Sequence, residues 1–229
     1  ICNDLRQYVM LGDAGAMTDY VIGNADDRWV FTEDNPSREL STAAALATVS
    51  RVLKGFNDTL SVQSLQAARE LFDRTRVTDR SEINKLQAAV ELYLATHEDG
   101  YKKYILGQQK LIVDNIARTG WFIGRADQAI KDKKFTENIR KALAAFRREL
   151  EEQKKETPYG VPYKPSIWGA GWDIQSFGYQ QYFLVQAYPD LFGPELLYSA
   201  LNFVLGCHPG SNTASFASGV GANSATVAY

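Results

Sequence analysis

Helices of two kinds alternate along this sequence, and that alternation restricts the architectures open to it. Ser41–Lys54 carries alanines with Leu46, Val49, Val52 and Leu53 around most of its circumference, and Gly55 follows where a glycine ends a helix. Ser61–Arg74 instead gathers Val62, Leu65, Ala68 and Phe72 on one stripe and turns Gln63, Gln66, Glu70 and Asp73 away. A helix that is apolar on every side is surrounded by protein, whereas a helix with one apolar stripe is half exposed.

The contrast continues. Ser81 is placed to cap a helix running to about Thr96, with Ile83, Leu86, Ala89, Val90, Tyr93 and Leu94 facing in. Glu98-Asp99-Gly100 is a turn, and Tyr101 to about Arg118 follows, interrupted at Gly107. Trp121–Ile130 reads as a short inner helix, and Thr136 as the cap of a long amphipathic one reaching about Lys154. Gln175–Tyr188 is apolar or aromatic nearly all round and ends at Pro189; Pro194 opens a last helix that Gly206 closes. Enclosed and half-exposed helices in turn are what two concentric helical layers need. The expected fold class is therefore all-α, an α/α toroid of which the chain holds about four inner–outer pairs. A solenoid of helix pairs gives the same alternation, but the pairs share no motif at fixed period, and the long connection from Glu156 to Ile174 is foreign to one.

At 229 residues the chain suffices for one core or part of a larger one. A net charge of −2 gives no basic face for nucleic acid, since the cluster Arg140–Arg148 runs straight into Glu149, Glu151 and Glu152. No apolar run is long enough to span a membrane. Cys2 and Cys207 make no disulfide framework and can pair once or stay free. His97 and His208 are too few and too far apart for a metal centre, so no metal or cofactor is expected. Asn57-Asp58-Thr59 fits a glycosylation triplet, a pattern that also arises by chance. Ile1-Cys2-Asn3-Asp4 opens as if inside structure and Ser224–Tyr229 stops without a polar tail, so residues 1–229 are expected to form part of one larger domain.

In a helical toroid the loops leading into inner helices open on one face. Here these are Asp26–Leu40, Thr75–Arg80, the neighbourhood of Gly120, Thr157–Ile174 and the stretch after Gly206. Arg28, Trp29, Trp168, Trp172 and Phe216 fall in them, and aromatics with an arginine on one rim describe a binding cleft. The loop Pro158–Trp172 is the strongest signal: prolines stiffen it, Gly169 and Gly171 permit tight turns, and two indoles sit within it. Indoles in a stiff loop stack on flat apolar faces such as those of sugar rings, or pack back on the core. The loop Gly206–Gly221 has no preceding strand and no Gly-Lys-Ser/Thr ending, so it is no phosphate cradle; His208 before Pro209 either bonds a ligand or orders its own loop. Asp26, Asp27, Glu33, Asp34, Glu39, Asp79 and Asp173 are the rim acids, and none is set apart from a helix cap or solvated acid; Asp173 reads as an N-cap.

Gly160-Val161-Pro162, Trp168-Gly169 with Trp172, Leu205-Gly206-Cys207-His208-Pro209 and Phe216 with Gly219-Val220-Gly221 stand in an order that resembles the C-terminal half of glycoside hydrolase family 9. The likeness runs from about Asp26 to the end and is most specific from Tyr159 onward. It implies an (α/α)6 barrel, present here only in part, and inverting hydrolysis of β-1,4-glucans or related β-glucosides. It also implies a base aspartate upstream of Ile1, an acid glutamate downstream of Tyr229, and a secreted or periplasmic protein. The family's base motif is Asp-Ala-Gly-Asp; Gly12-Asp13-Ala14-Gly15-Ala16 lacks the last acid and lies too near the later motifs, so it is read as coincidence. The basic run that many relatives carry after the glycine-rich loop is replaced by Ala222-Asn223-Ser224-Ala225-Thr226, which leaves the particular β-glucan open.

The expectation is thus a cleft-building portion of a cellulase-like domain. Trp168 and Trp172 are its stacking platforms, with Tyr163, Arg28 and Phe216 as further substrate contacts, and its partners are an oligo- or polysaccharide and the remainder of its own catalytic domain. Two other readings fit the same residues: a non-catalytic carbohydrate-binding toroid, and a helical scaffold that binds protein.

Overall fold

A computed structural model describes residues 8–12, 27–31, 34–163, 169–211, 213–221 and 223–224, with the backbone alone for the first two segments. Those two segments are strands, β1 (Tyr8–Gly12) and β2 (Asp27–Phe31), paired antiparallel with Leu11 opposite Arg28 and Met10 opposite Trp29. Neither strand alternates apolar with polar residues, so period-two patterning could not announce them. The rest is helical: α1 (Pro36–Leu53), α2 (Asp58–Arg74), α3 (Glu82–Thr96), α4 (Asp99–Gly107), α5 (Gln109–Asp114), α6 (Ile116–Ile130), α7 (Lys133–Lys154), α8 (Ala170–Ala187) and α9 (Glu195–Val204).

Helices α1, α3, α6 and α8 pack side by side in that order; α2, α4 with α5, and α7 return between them, and α9 packs against α8. The four inner–outer pairs expected from periodicity are therefore present as an arc of a two-layered helical ring. The inner helices differ in enclosure. Lys85, Leu86 and every residue from Ala88 to Tyr93 are buried along α3, and α6 buries Thr119, Phe122, Ile123, Ala126 and Ile130. Helices α1 and α8, at the two ends of the arc, are open on one side: Val49 and Val52 of α1 and Tyr179 and Tyr182 of α8 are exposed. The apolar circumference of Ser41–Lys54 and Gln175–Tyr188 is thus only partly covered by the described residues.

Local chemistry sets the element ends, in places differently from the sequence expectation. Helix α1 starts at Pro36 because the Asn35 side chain accepts the Arg38 amide at 3.0 Å and Pro36 needs no donor of its own. Asn57, read above within a glycosylation triplet, caps α2 by accepting the Leu60 amide at 3.1 Å. The cap of α7 is Asp132, bonded to the Phe135 amide at 2.9 Å, and not Thr136, whose hydroxyl donates to Asp127 at 2.6 Å. Ser81 stands at the N-cap of α3, but its hydroxyl accepts the Thr78 amide at 2.8 Å in place of a helix amide. The segment expected from Tyr101 to Arg118 ends at Asp114, and its last residues belong to α6. Gly120 accordingly lies within a helix rather than on a rim loop: a Cβ there would lie 2.8 Å from Leu143, and one on Gly124 would lie 2.8 Å from Ala187. These two glycines let α7 and α8 approach α6.

Two polar clusters tie helices across the arc. Glu91 of α3, its side chain 3% exposed, accepts from Arg51 of α1 at 2.5 Å, from Arg125 of α6 and from the Thr48 hydroxyl at 3.0 Å. Arg51 also donates to the Glu91 carbonyl at 2.9 Å. Between α6, α7 and α8, Asp127 accepts the Tyr188 hydroxyl at 2.8 Å as well as Thr136. Burial and then the Asp127 carboxylate push the Tyr188 phenol far above its ordinary range, so it remains a donor. Removing the carboxylate takes the counter-charge from both part-buried guanidiniums and leaves Arg51 only the Glu91 carbonyl; breaking a buried pair in this way typically costs about 3–5 kcal/mol. Urea unfolding of Glu91→Ala is expected to show a loss of that order, and Arg51→Met a smaller one, because Arg125 and Thr48 still hold the carboxylate.

Candidate carbohydrate-binding rim

The inner helices enter from one face, at Asn35, Ser81, Asn115 and Gly169. Two loops converge there on the first turn of α8. In the loop before it, Val161 is buried against Ile174, Ala200 and Phe203, with Tyr159, Tyr163 and Phe177 around them. The Thr157 hydroxyl and the Tyr163 amide both donate to the Val161 carbonyl, at 2.7 and 2.8 Å, so the turn is closed at both sides. A cavity of about 330 Å³ lies beside this small core between Tyr159, Tyr163, Ala170, Ile174 and Phe203.

Helix α8 begins at Ala170, five residues before the expected Gln175, with Gly169 at the N-cap in the left-handed region (φ 86°). Trp172 and Asp173 therefore ride on a helical turn and not in a loop. Asp173 is not the cap; its carboxylate accepts the Tyr163 hydroxyl at 3.2 Å and so joins the loop to the helix. Gly171 presents its bare face to Phe216, whose ring would lie 3.1 Å from a Cβ there. Trp172 is 71% exposed and Phe216 63% exposed.

The second loop returns from α9 to deliver Phe216. The Phe216 amide donates to the Val204 carbonyl at 2.9 Å and its ring stacks on Phe203, with centroids 5.4 Å apart. Gly206, at φ 69°, leaves no room for a side chain: a Cβ would lie 2.2 Å from the Thr213 carbonyl oxygen. Gly221, at φ 92°, is as tightly held against the Leu205 carbonyl. His208 turns inward to Tyr159 and Phe203 and accepts the Gly210 amide at Nδ1, so it orders its own loop, the second of the two roles open to it.

Of the residues expected at the site, Trp172, Tyr163 and Phe216 gather on the first turn of α8. Arg28 sits in β2 opposite Leu11, its side chain outside the described residues, and Trp168 lies outside them altogether. So do Cys2, Asp26, Glu33 and the segment Asp13-Ala14-Gly15-Ala16, of which only Gly12 before it is placed, at the end of β1. Glu39 is engaged by the Thr75 hydroxyl at 2.8 Å, which makes it a tie between α1 and the end of α2. Sequence reading did not single out Gly171 as the seat of Phe216 or Tyr163 as the partner of Asp173. The proximity of Gly171 to Trp172 in the motif was the available signal for the first; the second, between residues 10 apart, left none.

An arc of paired helices with an aromatic rim at the inner-helix entrances is the geometry on which comparison with known proteins turns. The family model for glycosyl hydrolase family 9 matches residues 5–229. The chain belongs to that family. No curated protein matches it. Among solved structures, the GH family 9 endoglucanase J30 aligns with a TM-score of 0.67 at 18% identity, over 94% of this chain and 45% of its own. An endoglucanase from the termite Nasutitermes takasagoensis aligns at 0.64 and 17% identity, over 96% and 57%. A GH9 protein from Bacteroides ovatus aligns at 0.63 and 17%, over 88% and 44%. At these identities the likeness carries the fold, and it bears out the (α/α) class. The chain spans about half the length of the structures it matches.

Gly206→Ala is expected to unseat the Phe216 loop while leaving the helices intact. Limited proteolysis should then cut faster between residues 207 and 221, with the far-ultraviolet circular dichroism unchanged.

Proposed function

We propose that this chain forms part of the substrate cleft of a glycoside hydrolase acting on β-1,4-glucan or a related β-glucoside, with inversion. Membership of glycosyl hydrolase family 9 supports the reaction class. The observation that carries the cleft is the convergence of Trp172, Phe216 and Tyr163 on one helical turn, where two rings stand exposed on a backbone pinned by Val161 and Gly206. Flat apolar rings held on a stiff frame offer stacking area to a sugar without the cost of ordering them. Trp168 and Arg28 complete the proposed set of substrate contacts.

Inversion needs one carboxylic acid to protonate the departing oxygen and one carboxylate to activate water, about 6.5–9.5 Å apart. The described rim acids with recorded partners, Glu39 and Asp173, are engaged in holding the fold. The base aspartate and acid glutamate are assigned to the remainder of the domain, outside residues 1–229. That remainder is also the partner proposed for the open sides of α1 and α8, where Val49, Val52, Tyr179 and Tyr182 leave apolar surface uncovered. Residues 1–229 then constitute part of a single catalytic domain. The described helices include none long and apolar enough to cross a membrane, and secretion, which gives the enzyme access to polysaccharide, is part of the same reading.

In the full-length protein, Trp172→Ala and Phe216→Ala are each expected to weaken binding of a soluble β-1,4-gluco-oligosaccharide by about tenfold, ~1.4 kcal/mol, near the upper end for aromatic pairing. Isothermal titration would measure it; unchanged affinity in both variants overturns the cleft assignment. Residues 1–229 produced alone are expected to release no reducing sugar from soluble β-glucan.

A further inference from the structure

We propose that Asp173 is a positioning residue for Tyr163: its carboxylate takes the single proton of the phenol, so Tyr163 meets a sugar only as a hydrogen-bond acceptor. With Tyr163 read as a substrate contact, on which this rests, the contact selects a sugar hydroxyl that donates.

Tyr163 is fixed along its whole length. Its backbone follows Val161 and Pro162, both buried, and its amide donates to the Val161 carbonyl at 2.8 Å. Its half-buried ring packs against the small core of Val161, Ile174, Ala200 and Phe203. Its hydroxyl donates to the Asp173 carboxylate at 3.2 Å, across a separation of 10 residues. Asp173 is held in turn: it stands in the first turn of α8, with its amide bonded to the Gly169 carbonyl at 3.0 Å. The unpaired amides of a helix start favour a negative charge at that place. Val161 seats the loop and Gly169 starts the helix, so both backbones are placed without this side-chain bond. What the bond adds is the direction of the phenol proton.

A phenol has one proton to give and accepts through its oxygen, whereas an ionised carboxylate only accepts. In the bond between them Tyr163 is therefore the donor, and what it retains for a ligand is its oxygen lone pairs. A cavity of about 330 Å³, lined by Tyr163 with Tyr159, Ala170 and Phe203, gives a ligand group room beside it. Sugar hydroxyls both donate and accept, and a phenol so committed takes up the donor half alone. A site built to bond a substrate hydroxyl discriminates against an analogue without it, because its own polar group is then left unpaired.

The test is isothermal titration of the full-length protein with a soluble β-1,4-gluco-oligosaccharide and with its monofluoro derivatives, each lacking one hydroxyl. Fluorine is close to a hydroxyl in size but has no proton to donate. In the wild type at least one derivative is expected to bind about fivefold more weakly than the parent, the worth of one hydrogen bond. In Tyr163→Phe that penalty should vanish. Asp173→Ala frees the phenol proton, so the penalty should shrink there too. Asp173→Asn should restore it, since an amide oxygen accepts the same proton. A mere tie between loop and helix would instead weaken the parent and every derivative alike.

A penalty that survives Tyr163→Phe overturns the proposal, as does an unchanged pattern in Asp173→Ala. Should Asp173→Ala misfold, Asp173→Ser provides the second variant: serine suits the start of a helix but is too short to reach the phenol, so the penalty should shrink in the same way. Its persistence there also overturns the proposal. Wild-type binding with no derivative set apart overturns this proposal alone. Absence of any oligosaccharide binding by the wild type overturns the cleft reading and this proposal together.

Discussion

The arc depends on a carboxylate that three helices share. Glu91 stands on α3 with Arg51 reaching it from α1 and Arg125 from α6, so the heights of three adjacent inner helices are set against one another by charge and not by apolar contact alone. Apolar packing between α1 and α3 is built largely from alanines, Ala43, Ala44 and Ala88 among them, and surfaces so smooth can slide by a turn at modest cost. An ion pair with bonds to two guanidiniums and a hydroxyl tolerates no such slip. Specificity of register is the best-attested use of a buried charge. The Tyr188–Asp127–Thr136 cluster performs the same service between α6, α7 and α8, so α6 is indexed to its neighbours on both sides.

Index the inner helices and the rim follows, because the rim is simply where they begin. The first turn of α8 shows how little else is needed. Val161 seats one loop, Gly206 and Gly221 fold the other back on α9, and both arrive at a turn whose glycine leaves a flat place for Phe216. The small residues are as necessary as the aromatic ones: any side chain at Gly171 would meet the Phe216 ring. The exposed rings of this rim are thus consequences of backbone clearance, with the helix as a rigid base and the loop held against it by rings.

Periodicity was enough to reveal the layers. Residues that repeat at helical spacing are local, and a chain of helices that alternate in enclosure has few ways to pack. What periodicity could not reveal is anything carried by a single side chain over a long separation. Glu91 looks like any other polar residue of its helix until Arg51 and Arg125, 40 and 34 residues away, are brought to it. Helix starts failed for the opposite reason, an excess of local candidates. Thr136 and Asp132 both have the chemistry of a cap, and the choice fell to Asp132 because Asp127 engages the threonine from the preceding helix. On the rim, the glycine-rich motifs marked the two loops that meet at the first turn of α8, whereas the assignment of Asp173 to capping missed that Tyr163 would claim it.

The open sides of α1 and α8 show the same logic at the level of the whole arc. Both helices have sequences suited to burial on every side, yet α3 and α6, with inner neighbours to left and right, come much nearer to it. Val52 of α1 is 65% exposed and Tyr179 of α8 is 52% exposed, at opposite ends of the row. Apolar surface on both flanks, in a chain that spans about half the length of the solved structures it matches, is what the proposed larger domain would cover. The concave hollow beside Glu91, walled by Trp121, Arg125, Tyr179 and Phe183, extends that argument inward. Arg125 there is paired with Glu91 and lies over the Phe183 ring at 5.0 Å, so the charge that indexes α6 to α3 also fixes an aromatic face of α8.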